Sequence, residues 1–100
     1  MVKPKKIREF ASRYPDATQP LLVWLEAAEA ADWHGIADLR EMYPHADAVA
    51  VASGNVVAVF NVRGNRYRLI TAIKYRYSMV YVLRFLTHGE YDKEKWKVEL

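Results

Sequence analysis

Residues Asn61–His88 read NVRGNRYRLITAIKYRYSMVYVLRFLTH, with six basic residues and no acidic one. The bases are Arg63, Arg66, Arg68, Lys74, Arg76 and Arg84. Apolar and polar side chains alternate through Phe60-Asn61-Val62-Arg63, the period of a strand with one buried face. Gly64-Asn65 forms a two-residue hairpin loop with glycine first, which suits a type II′ turn. That loop predicts a register with Arg63 opposite Arg66, Val62 opposite Tyr67, Asn61 opposite Arg68 and Phe60 opposite Leu69. Opposite residues share a face of the sheet. Asn61, Arg63, Arg66 and Arg68 are therefore expected on one side, and Phe60, Val62, Tyr67 and Leu69 on the other. A three-residue loop at Arg76-Tyr77-Ser78 pairs Tyr75 with Met79, Lys74 with Val80 and Ile70 with Arg84. It puts Lys74 and Arg84 on the face of Arg68. A two-residue loop would instead bury Arg84 among Leu69 and Ile73, which is costly for an unpaired charge. The stretch predicts an antiparallel meander with one apolar face and one basic face.

Helical signals precede it. Lys5 to Tyr14 has Ile7 and Phe10 one turn apart, and Pro15 stops the helix because its ring cannot continue the preceding turn. Thr18-Gln19-Pro20 restarts a helix, with proline in the first turn where a missing N–H costs nothing. Leu21, Trp24, Leu25 and Ala28 recur at the spacing of one buried stripe. Trp33-His34-Gly35 ends it. Ile36, Leu39 and Met42 mark a short amphipathic turn closed by Tyr43-Pro44. Ala46 to Gly54 is rich in small residues, and Ser53-Gly54-Asn55 reads as a turn. Downstream, Thr87-His88-Gly89-Glu90 has the pattern of a capping box. It opens a short helix from Tyr91 to Trp96 and sets His88 in the first turn.

One hundred residues allow one compact domain, 1–100, and 52% hydrophobic residues allow it a core. The absence of cysteine excludes disulfides and thiolate metal sites and fits a reducing cytoplasm. The charged start Met1-Val2-Lys3-Pro4-Lys5-Lys6 lacks the apolar run of a signal peptide. No stretch reaches the roughly 18 apolar residues of a membrane span. The net charge of +3 is unevenly spread. Tyr14 to Asp47 holds seven acids and one base, Arg40, whereas Arg63 onward holds nine bases and four acids. Such a dipolar chain steers a polyanion toward its basic half.

An ordinary wet sheet face mixes signs, and like charges directly opposite destabilise it. Arg63 facing Arg66 therefore costs stability unless an anion sits between them. A phosphate-bearing partner is the expectation. His88, at the strand–helix junction beside the basic face, is a candidate for proton transfer. Tyr91, one turn on, is a candidate for the same site or for helix-to-sheet packing. His34 and His45 lack a partner at ligand spacing, and no HExxH or similar pattern supports a metal. Asp92 and Glu94, two positions apart on a helix, do not face each other. Trp24, Trp33 and Trp96 read as core. Trp33 and Trp96, nearer element ends, could also serve an interface.

The blocks VFNVRGNRYRLITAIKY (Val59–Tyr75), VYVLRFLTH (Val80–His88) and EYDKEKWK (Glu90–Lys97) together resemble the HigB family of type II toxin–antitoxin toxins. That family is a branch of the RelE-like messenger-RNA interferases. Tyr14-Pro15, Trp24, Trp33 and Tyr43-Pro44-His45-Ala46-Asp47 agree with it. The resemblance implies an α+β fold, with N-terminal helices packed on one face of a twisted antiparallel sheet and a short C-terminal helix. It implies a cytoplasmic endoribonuclease acting on mRNA, often on the ribosome, with no metal or other cofactor and no membrane. It also implies a HigA-like antitoxin with a helix-turn-helix domain. Arg68 matches the arginine of the YRL block that contacts the scissile phosphate. Asn61 and Arg63 occupy strand positions where relatives carry basic catalytic residues, and Asn61 departs from that by being uncharged. Tyr91 matches a C-terminal tyrosine, and His88 belongs to a TH pair. The expected catalytic set is Arg68, His88, Tyr91 and Arg63. The expected RNA-binding set is Asn61, Arg66, Lys74, Arg84 and Lys95. Two other classes stay open: a non-catalytic RNA- or ribosome-binding module, and an interaction domain whose basic groove receives an acidic peptide.

Overall fold

The computed structural model describes residues 1–100. Three helices come first: α1 (Lys5–Arg13), α2 (Thr18–Ala30) and α3 (Ile36–Met42). Four strands follow, β1 (Asp47–Ala50), β2 (Val56–Val62), β3 (Tyr67–Lys74) and β4 (Met79–Thr87). Two short helices, α4 (His88–Asp92) and α5 (Lys95–Glu99), close the chain. The strands form one antiparallel sheet in the order β1-β2-β3-β4. This is the α+β arrangement the sequence predicts.

The expected helical stripe is the buried one. Leu21, Trp24, Leu25 and Ala28 all lie inside, facing the sheet with Ile7 and Ala11 of α1 and Leu39 of α3. Each large apolar side chain removed from water contributes about 1.5–3 kcal/mol. Phe60 of β2 is the hub of one end, with ring centroids 5.3 Å from Trp24, 5.1 Å from Tyr43 and 6.2 Å from Trp33. At the other end Tyr67 stacks on Phe85 at 4.8 Å, and Tyr14 meets both rings edge-on. After Pro15 the chain makes a single 3-10 turn, Pro15–Ala17, before α2. Thr18 does not cap α2; its hydroxyl donates back to the Ala11 carbonyl and ties α2 to α1.

The β2–β3 register is as predicted from Val62 opposite Tyr67 inward, including Asn61 opposite Arg68 and Phe60 opposite Leu69. The loop is longer than expected. Arg63 leaves the ladder in a left-handed conformation (φ +54°), followed by Gly64 at φ +65°. The turn closes through the Arg66 N–H to the Arg63 carbonyl at 3.3 Å.

The β3–β4 loop also differs. Lys74 pairs with Met79, so the loop has four residues, Tyr75–Ser78, with Ser78 left-handed (φ +52°). A bulge then restores the predicted pairing of Ile70 with Arg84, Leu83 being the extra residue between Val82 and Arg84. The bulge has a packing reason. It lets Val80 and Val82 face the helices while Arg84 and Lys74 stay on the opposite side with Arg68.

Two elements were not expected. The small-residue segment after Ala46 forms β1, antiparallel to β2. Val2 bridges Val80 in parallel and covers part of the outer edge of β4.

The face opposite the helices is not uniformly basic. Val51, Val57, Val59, Ile70 and Trp96 form a second core there, with Val49, Leu83, Leu86, Tyr91 and Leu100 packed around it. The segment Val56-Val57-Ala58-Val59-Phe60 is apolar on both sides, the pattern of a strand covered on both faces. Trp96 of α5 is the cover, and its core placement agrees with the sequence. The single C-terminal helix expected from Tyr91 to Trp96 is instead two, broken at Glu94 (φ +62°). The break brings Trp96 back onto Tyr91: the rings stack at 5.2 Å, and the indole N–H donates to the Tyr91 carbonyl at 3.0 Å. In one continuous helix the two rings would point to different sides.

Candidate functional site

Arg68 projects from β3 at the end of the sheet where β2 turns into β3. Its guanidinium donates from Nη1 to the Asn65 and Tyr67 carbonyls at 3.2 and 3.1 Å, and from Nη2 to Asn65 Oδ1. The guanidinium carbon lies 5.5 Å from the centre of the Tyr91 ring. All of its acceptors are neutral, so its charge has no carboxylate partner. Asn61, directly opposite on β2, is exposed on the same face.

The capping box forms as read. Thr87 Oγ1 accepts from the Glu90 N–H at 3.2 Å, and Glu90 Oε1 accepts from the Thr87 N–H at 3.0 Å. It starts α4 at His88, whose own N–H donates to the Arg66 carbonyl at 2.9 Å and so ties the helix to the hairpin loop. His88 Nδ1 lies 2.7 Å from Asp92 Oδ2. With Nδ1–H donating to that carboxylate, Nε2 is left as the proton acceptor. Tyr91 is three residues further on and therefore a neighbour of His88 on the helix surface. Burial, reinforced by the Asp47 carboxylate and opposed by Lys97 and Arg68, raises the Tyr91 pKa above its ordinary 10.0. Its phenol stays protonated at neutral pH, so it can donate a proton or stack but not act as a base.

Arg63 and Arg66 lie elsewhere than predicted. Their Nη1 atoms meet Asp16 Oδ2 at 3.0 and 3.1 Å, on the helix side of the hairpin tip. The left-handed backbone at Arg63 breaks the strand alternation and swings its side chain away from Asn61 and Arg68. The anion that two facing arginines require is thus the chain's own carboxylate. Tyr67 completes the cluster, with its hydroxyl 2.8 and 2.9 Å from the two Asp16 oxygens. The Tyr67 hydrogen bond, followed by those from Arg66 and Arg63, holds the Asp16 pKa below its ordinary 3.8 against a partial desolvation. A carboxylate with a depressed folded pKa contributes stability above the unfolded value and loses it as pH falls through the folded value. The melting difference between wild type and Asp16→Asn is therefore expected to be full at about pH 6 and to shrink toward about pH 2. Thermal melts of both proteins at the two pH values check it; an unchanged difference would contradict the ionised cluster.

The remaining predicted residues are dispersed. Arg84 shares the face of Arg68, but its Nη1 donates to the Leu83 carbonyl at 2.9 Å and its Nε is 3.9 Å from Glu99 of α5. Lys74 is on that face at the far end of β3, six residues and about 20 Å from Arg68. Lys95 is exposed on α5, lining a cleft of about 290 Å³ with Leu86, Glu90, Lys93, Trp96 and Glu99. The structure brings Arg68 together with Tyr91 and Asn61 and sets His88 one helical turn before Tyr91. It draws Arg63 and Arg66 to a second cluster and leaves Lys74 and Lys95 apart.

Three contributors escape the sequence. Asn65 orients Arg68, Asp92 engages His88, and Asp16 gathers two arginines. Asp92 has a sequence signal, four residues after His88 within a helix. Asp16 has none, lying 47 residues from Arg63. No three His, Asp or Glu side chains converge to hold a metal ion.

A four-stranded antiparallel sheet with helices on one face and short C-terminal helices on the other defines a small α+β protein, with an arginine that lacks a carboxylate partner at one end of the sheet. The chain belongs to the HigB toxin family: the family model described as HigB_toxin, RelE-like toxic component of a toxin–antitoxin system, matches residues 17–94. The protein is accordingly the toxin of such a system, and the system implies an antitoxin partner. The match runs from Ala17 to Glu94, through Arg68, His88 and Tyr91. No curated protein matches the chain. No helix is long and apolar enough to cross a membrane.

Proposed function

We propose that this toxin is a metal-independent endoribonuclease that cleaves mRNA on translating ribosomes in the cytoplasm and so stops translation. One observation carries the reading: the Arg68 guanidinium is hydrogen-bonded only to neutral acceptors and lies over the Tyr91 ring with its charge uncompensated, and His88, paired with Asp92, stands one helical turn before Tyr91. Pre-placed positive charge without a counterion is what a phosphorane needs.

The chemistry uses these groups as follows. His88 Nε2 takes the proton of the RNA 2′-hydroxyl. The 2′-oxygen bonds to the adjacent phosphorus and the bond to the 5′-oxygen breaks. Arg68 stabilises the phosphorane charge through its planar fork. Tyr91, kept protonated by burial, either donates its phenol proton to the departing 5′-oxygen and is reprotonated from His88, or stacks on a splayed base while water protonates that oxygen. The products are a 2′,3′-cyclic phosphate, or its hydrolysed form, and a 5′-hydroxyl. Asn61, Lys74, Arg84 and Lys95 extend the RNA contact along the sheet face and α5. The antitoxin partner is a HigA-like helix-turn-helix protein.

His88→Ala is expected to lower cleavage by about 10²–10⁴-fold while RNA affinity changes little. Asp92→Asn follows the same direction with a smaller loss. Purified variants in a translation mixture, with product ends identified, make the test. A protein that binds RNA equally well with and without His88 and never cuts it would be a binding module instead.

A further inference from the structure

The cluster at the hairpin tip has the donor set of an anion site. Two guanidinium groups and a phenol converge on a single carboxylate: Asp16 Oδ2 accepts from Arg63 and Arg66, and the Tyr67 hydroxyl lies 2.8 and 2.9 Å from Oδ1 and Oδ2. Arg63 and Arg66 keep 47% and 61% of their side-chain surface exposed, so the clamp opens to solvent around its occupant. Arg63 also sits in a left-handed backbone, a conformation costly for a residue with a side chain, which aims it at Asp16. The cluster is joined to the candidate active site by the Arg66 carbonyl, which accepts from the His88 N–H.

We propose that this clamp is a second phosphodiester site, on the helix side of the hairpin tip beyond the sheet face that carries Arg68, and that Asp16 is its exchangeable internal occupant. A non-bridging phosphate oxygen matches the position of Asp16 Oδ2, and both arginine forks suit it. RNA passing the hairpin tip exchanges one anion for another, so the two arginines add less to affinity than free arginines would. The site lies on the helix side of the tip, away from Arg68. The proposal rests on the RNA reading above.

The test is binding of a single-stranded RNA oligonucleotide, followed by anisotropy over a range of salt concentrations. Asp16→Asn is expected to tighten binding about fivefold or more at low salt. The slope of log affinity against log salt should steepen by about 0.7 for each phosphate newly engaged. The gain should vanish when Arg63→Ala and Arg66→Ala are added, since it arises from those two forks. Tyr67→Phe releases Asp16 without removing its charge and should give a smaller gain in the same direction. It also stands in if Asp16→Asn melts early. No gain in either variant, or an equal gain with the arginines absent, would overturn the proposal. A wild type that cuts RNA in an Arg68-dependent manner, with Asp16→Asn binding no differently, would overturn the clamp alone. Failure of both wild type and Asp16→Asn to bind the oligonucleotide would overturn the clamp, and absence of Arg68-dependent cleavage in the translation mixture as well would overturn the RNA reading with it.

Discussion

Arg68→Ala is expected to lower RNA cleavage by about 10²–10³-fold, the usual loss when one well-aimed donor to a charged transition state is removed. The loss should fall on the chemical step. Arg68 is bound only to neutral groups of its own hairpin, so no buried anion is stranded when it goes. Its side chain is only partly buried, and folding should change by about 1 kcal/mol or less. Arg68→Lys restores the charge but not the fork, and should recover part of the rate. Cleavage rates and thermal melts of the three proteins separate catalysis from folding. Equal rates for wild type and Arg68→Ala would remove Arg68 from the site.

Trp96→Ala is expected to cost about 3–5 kcal/mol, the range for deleting a buried aromatic ring. Trp96 is 3% exposed and is the member of the second core that α5 supplies from its interior. Its loss uncovers Val57, Val59 and Ile70 and removes the ring on which Tyr91 stacks. For a domain of this size the melting temperature should fall by more than about 10 °C. Activity should fall as well at temperatures where the variant is still folded, because Tyr91 loses its support beside Arg68. A variant with wild-type melting would show that α5 is not what closes this face.

The two predictions mark where the sequence was legible and where it was not. The meander was legible because Gly64-Asn65 and period-two alternation fix a register from Val62 inward. The capping box was legible because it needs only four consecutive residues. Arg63 was misplaced because a left-handed non-glycine residue reverses the side that alternation assigns, and its partner Asp16 is remote in sequence. The second core was missed because Arg68, Lys74 and Arg84 share a face with Val57, Val59 and Ile70. The signal for that core is the two-sided apolar run of β2, Val56–Phe60. β1 was missed because its alanines carry little strand preference, and pairing with β2 supplies what propensity does not. Arg84 reached its expected face through a bulge that no local signal announces.

Of the three arginines at the β2–β3 turn, Arg63 and Arg66 thus have their charge met internally by Asp16 and Arg68 does not. Charge counting alone would treat all three alike. The distinction concentrates the proposed chemistry at Arg68, with His88 and Tyr91 on the helix beside it.

The most direct measurement is the mapping of messenger-RNA 5′ ends after induced expression of wild type and of Arg68→Ala. The account predicts growth arrest and a set of new 5′-hydroxyl ends within coding regions for wild type, both lost in Arg68→Ala. Identical growth and identical ends in the two strains would contradict it.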